Sequence, residues 1–227
     1  MSVRTSARVA GVTFLVYILV AFSGMVLARG ATSGEGIAEK LASLAGHASG
    51  MRASIVLQLL GCFCALVLAV TLYTITRSVD PDLALLILAF RTGEGVIGAV
   101  SLDRMAGQIW LATASGTGAL DPASAAALGA VLLKVPDSMA LPASFFAVGS
   151  LVFSCLLLQA RLVPAALAWI GVIASVLVVV GTPLELAGIL KSPITDLMWL
   201  PMLAFEIPIG FWLIFKGVRA APHGEPT

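Results

Sequence analysis

With 227 residues, 59% of them hydrophobic and 11% charged, and a mean hydropathy of +1.06, the chain lies well below the charge content of about 25% that soluble domains carry. The composition predicts an all-α, multi-pass membrane protein with the lipid bilayer as its solvent. A formal net charge of +1 leaves neither a basic surface nor an acidic tail, which excludes nucleic-acid partners.

The N-terminal run Val9–Ala28 follows Arg4 and Arg8. It is longer than the apolar segment of a signal peptide and lacks a small-residue cleavage site, so it reads as an uncleaved first span. Residues 29–52 are Gly/Ser-rich, but Ile37, Leu41 and Leu44 fall at helical spacing and predict a short helix on the membrane surface. The second span is Ala53–Ile75, with Gly61, Ala65 and Ala69 forming a close-packing stripe. Its Cys62 and Cys64, two residues apart, point in different directions. They are expected, with Cys155, to be buried packing residues rather than a metal site.

Asp80-Pro81 supplies an N-cap and a first-position proline for the third span, Leu83–Leu102. In the long connection 103–137, Asp121-Pro122 opens an Ala-rich run too short to span, predicted as an interfacial helix. The remaining spans are Met139–Leu158, Pro164–Gly181 and Leu197–Phe215, each about the length that crosses hydrocarbon. The expected architecture is therefore a single domain, a membrane helical bundle of six spans plus short interfacial helices. Arg4, Arg8, Arg77, Arg161, Lys216 and Arg219 flank the spans tightly on one side, whereas the positives of the other side are spread over long loops. This favours cytoplasmic N- and C-termini. His47 and His223, in a loop and a tail, are expected to be neither catalytic nor ligating. Trp110, Trp169, Trp199 and Trp212 fit membrane-interface anchors, and Glu185 fits the interfacial end of span five.

Three charges contradict the apolar pattern. Arg91 and Glu94 flank the midpoint of span three, and Glu206 is the midpoint of span six. An ionisable group at that depth costs roughly 2.5–3.5 kcal/mol on insertion scales, so the three are expected to face the bundle interior and one another. Glu94, Ser101 and Gln108 share a helix face with Arg91 one turn below. Arg91 neutralises one carboxylate, so the cluster is expected to retain a proton, shared or held, near neutral pH. Glu94 and Glu206 are thus the candidate proton donors and acceptors, and Arg91, Ser101 and Gln108 the candidate binding residues. Pro201 and Pro208 bracket Glu206, and each removes a backbone donor, as in the interrupted helices of transporters.

Four stretches carry a family resemblance. They are Arg8-Val9-Ala10-Gly11, Phe90-Arg91 with Glu94, RLVPAALAWIG from Arg161, and FEIPIGFWLIFKG from Phe205. Together, and in this order, they resemble the bacterial integral-membrane proteins grouped as domain of unknown function forty-three eighty-six. The resemblance implies a multi-helix protein of the bacterial cytoplasmic membrane with an Arg/Glu centre, and it brings no activity with it.

No metal motif, nucleotide loop or activated nucleophile is present, so no cofactor is expected. Three functions fit: a membrane-embedded binding or assembly component, an acid/base enzyme of isomerase or cyclase type acting on a lipophilic small molecule, and a proton-coupled carrier. A closed ion pair favours the first, a lipid-facing pocket at the carboxylates the second, and a water path the third.

Overall fold

A computed structural model describes residues 2–116, 120–134 and 140–219. Among them the chain is helical, with α1 at Val3–Ala31, α2 at Ile37–Gly46, α3 at Ala48–Thr76 and α4 at Pro81–Gly116. These are followed by α5 at Pro122–Lys134, α6 at Ala140–Gln159, α7 at Ala165–Leu186, α8 at Ile194–Leu197 and α9 at Leu200–Phe215. Six helical segments are long and apolar enough to cross a membrane, which makes this a multi-pass membrane protein. Helices are the required form because hydrocarbon offers exposed backbone groups no partner. Met139, where span four was expected to begin, and His223 lie outside the described residues.

The third span is longer than the sequence pattern predicts. It was expected to end at Leu102, but α4 continues through Asp103 and Arg104 to Gly116. Neither proline nor a capping glycine interrupts this stretch, and the end of an apolar run does not stop a helix. Its start is as expected. Asp80 Oδ1 accepts hydrogen bonds from the backbone N–H of Asp82 and of Leu83, at 3.0 and 2.9 Å. Asp80→Ala is therefore expected to cost about 1 kcal/mol, read as a small loss of thermal stability in detergent. Asp121 caps α5 in the same way, and its bonds from the Ser124 hydroxyl and backbone hold its carboxyl below the usual range.

The contacts divide the chain into two compact units. The first comprises residues 1–17, 63–96 and 140–227, and its core is built around α6, α7 and α9. Phe14, Leu68, Ile87, Phe153, Ala174, Phe205 and Ile209 are buried there. α6 and α7 are joined by a hydrogen bond from Ser144 Oγ to Thr182 Oγ1 at 2.9 Å.

The second unit comprises residues 18–62 and 97–139. Its core contains Leu41, Leu44, Met51, Ile109 and Leu111. The helix expected from Ile37, Leu41 and Leu44 is α2. Its apolar residues are covered by α5, whose Gly129 lets Ile37 and Leu41 approach closely.

Side-chain facing departs from expectation in several places. Cys155 is exposed rather than packed inside, and Cys62 and Cys64 are only part-buried. A thiol is apolar enough for the outer surface of a membrane helix. Trp110 and Trp169 are exposed, whereas Trp199 and Trp212 lean on the core of the first unit. Glu185 is exposed near the end of α7, and Ala65 and Ala69 are buried as the close-packing stripe requires.

Candidate functional site

Arg91 stands ten residues into α4, and Glu206 nine residues before the end of α9. At 1.5 Å per residue both lie about 15 Å from the same end of the bundle, half the thickness of the hydrocarbon layer. α1 contributes Tyr17 to the same centre. Arg91, Glu94, Glu206 and Tyr17 all belong to the first unit.

Arg91 is fully enclosed, 0% exposed, and is the largest completely buried side chain among the described residues. Its Nη1 donates to Glu94 Oε2 at 2.7 Å, one helical turn on. The other oxygen of that carboxylate, Oε1, accepts from the Tyr17 hydroxyl, also at 2.7 Å. The guanidinium lies over two rings, 4.7 Å from the centroid of Phe146 and 5.7 Å from that of Phe14. Both distances suit a cation–π contact, which is worth most where water is excluded. Gly149 of α6 eases the close packing here, because a Cβ there would meet the Arg91 Cγ at 3.4 Å and the Phe90 Cβ at 3.3 Å. Three helices are therefore clamped around one cation.

Glu206 is 4% exposed and near enough to Arg91 and Glu94 to interact with their charges. It makes no contact of hydrogen-bond length with them. Its Oε1 has no partner, nor do Arg91 Nε and Nη2. The centre thus has two layers, an ion pair on α4 bonded through one guanidinium nitrogen and a separate carboxyl on α9. Buried polar atoms of this kind are few in native proteins and call for a reason. α9 runs unbroken through Pro208, and Pro201 sits in its first turn where a missing N–H costs nothing.

Ser101 and Gln108, expected on the same stripe, belong to the second unit and bond locally. Ser101 Oγ donates back along its own helix to the Ile97 carbonyl at 2.9 Å. Gln108 Nε2 donates to the Leu132 carbonyl at 2.8 Å, which also accepts from Arg104 Nε and Nη2. That carbonyl lies near the C-terminal end of α5, where acceptors are left over and a cation is welcome.

Sequence reasoning missed Tyr17, Phe14 and Phe146. One signal was available for Tyr17: a phenol deep in an apolar span needs a hydrogen-bond partner, and the carboxylates were the acceptors at hand. Neither a curated protein nor a solved structure matches the chain. The family model described as domain of unknown function (DUF4386) matches residues 9–217, nearly the whole sequence, and the chain belongs to that family.

Proposed function

We propose that the chain is a membrane-embedded binding or assembly component of the bacterial cytoplasmic membrane, its charged centre serving to fix the helices rather than to catalyse. One observation carries this reading: the centre is closed. Arg91, Glu94 and Glu206 are 0%, 4% and 4% exposed, and the cation is walled by aromatic rings. A lipophilic substrate or a hydrated path would have to reach one of the carboxyls, and enclosure of this degree argues against both. The basic flanks Arg4, Arg8, Arg77, Arg161, Lys216 and Arg219 support cytoplasmic termini.

The unpartnered Glu206 oxygen favours a second reading, in which Glu94 and Glu206 exchange a proton during transport or acid/base chemistry. Proteoliposomes loaded with a pH-sensitive dye separate the two. Under an imposed pH gradient, wild type and Glu206→Gln are both expected to match empty vesicles. Proton flux in the wild type that disappears in Glu206→Gln would overturn the assembly reading.

A further inference from the structure

The turn between α6 and α7 ends its helix in an unusual way. The Leu162 N–H bonds to the Leu157 carbonyl at 3.0 Å and the Arg161 N–H to the Leu158 carbonyl at 3.2 Å, while Leu162 and Leu157 are both buried. This is the Schellman closure, in which the residue after the C-cap takes a left-handed backbone. That residue is nearly always glycine, but here it is Arg161, with φ of 51°. A non-glycine residue held in that region is strained, and such strain clusters at functional sites.

A second arginine comes to the same turn. The chain leaving α9 returns to this turn, where the Arg219 N–H donates to the Leu162 carbonyl at 3.0 Å. Arg161 and Arg219 then line one cavity of about 580 Å³ with Gln159, Val163, Ala165 and Trp169. Neither guanidinium has an acidic partner among the described residues. The cavity lies at the ends of α6 and α9 and the start of α7, where the bundle leaves the hydrocarbon. Below it, Trp169, Ile173, Val176 and Val180 of α7 are exposed. At spacings of four, three and four they form one apolar stripe running from the cavity into the membrane.

We propose that this cavity binds the phosphate headgroup of an anionic phospholipid, Arg161 and Arg219 holding the phosphate and the α7 stripe receiving an acyl chain. Arginine pairs suit phosphate oxygens, and basic pockets at helix ends are where anionic headgroups are held. The proposal depends only on the protein being in a membrane and is independent of the role of the buried centre.

The test uses the full chain in detergent, with melting temperature followed as phosphatidylglycerol, phosphatidylcholine or inorganic phosphate is added. Phosphatidylglycerol alone is expected to stabilise the wild type. Arg161→Gly and Arg219→Gln are each expected to weaken its apparent affinity about fivefold, the effect of removing roughly one cation near an anionic surface. Without added lipid, Arg161→Gly is expected to melt no lower than wild type, since glycine relieves the left-handed turn. A structural role for Arg161 would give the opposite sign. Equal stabilisation by phosphatidylcholine, or undiminished phosphatidylglycerol binding by both variants, would overturn the proposal. Stabilisation by inorganic phosphate to the same extent would show that the site takes the free anion and not the lipid.

Discussion

Glu94→Gln is expected to destabilise the protein by about 3–5 kcal/mol, the usual effect of removing one partner from a buried ion pair. The substitution keeps the shape of the side chain and removes its charge, while Arg91 remains at 0% exposure with no other hydrogen-bond partner. The Tyr17 hydroxyl loses the charge on its acceptor as well, weakening a charge-assisted bond to an ordinary one. Glu206→Gln should behave differently. Glu206 Oε1 has no hydrogen-bond partner to lose, and the cost of burying its carboxylate outweighs its attraction to Arg91, so stability is expected to stay level or rise. Arg91→Met combined with Glu94→Gln should recover part of the loss, because the apolar replacement removes the orphaned cation. The readout is unfolding of the purified chain in mixed micelles. Equal losses for the two glutamine variants would mean that both carboxyls are structural and that the two-layer description of the centre is wrong. No loss for Glu94→Gln would sink the assembly reading itself.

This contrast also shows how much could be read in advance. The spans were legible because hydrocarbon demands apolar length, and a charge inside such a length reports its own depth. Arg91, Glu94 and Glu206 were placed at a common level on that basis, and the structure brings them within electrostatic range. Which way a side chain faces was much harder to read. In water a helix announces its buried face by polarity. In lipid both faces are apolar, so Val12 and Leu19 stand exposed while Ala10 and Phe14 of the same helix are buried, with nothing in their chemistry to separate them. Cys155 was misjudged for this reason. Ser101 and Gln108 show a different gap: a shared helix face says nothing about local acceptors, and the Ile97 and Leu132 carbonyls took their hydrogen bonds. The Phe14 and Phe146 rings over Arg91 could be found only once α1 and α6 were in place.

Gly11→Ala is expected to be the most damaging small substitution in the first unit. A Cβ at Gly11 would stand 2.5 Å from the Gly210 carbonyl oxygen and 2.9 Å from the Ile214 nitrogen, both backbone atoms of α9, and 2.8 Å from Ile214 Cγ1. Neither backbone atom can yield without moving the helix, so α1 and α9 must separate. Helix association in lipid depends on such close packing, since no hydrophobic effect drives the helices together. Overpacking typically costs about 1–3 kcal/mol, and the upper end is expected here because backbone is struck. The reciprocal change, Gly210→Ala, meets Leu15 Cδ2 at 3.0 Å and the Gly11 oxygen at 3.2 Å. A leucine tip can turn aside, so the loss should be smaller. Gly50→Ala meets nothing within 4 Å and should gain up to about 1 kcal/mol from helix propensity. The predicted order of melting temperatures is therefore Gly50→Ala highest, then Gly210→Ala, then Gly11→Ala, and a Gly11→Ala variant as stable as wild type would refute the close crossing. The consequence reaches the charged centre, because Glu206 lies one turn before Gly210 and Phe14 three residues after Gly11. Pushing α1 and α9 apart moves the carboxyl and one of the two rings over the cation together. A loss of stability at Gly11 that is not additive with that of Glu94→Gln would identify the glycine crossing and the ion pair as parts of one clamp.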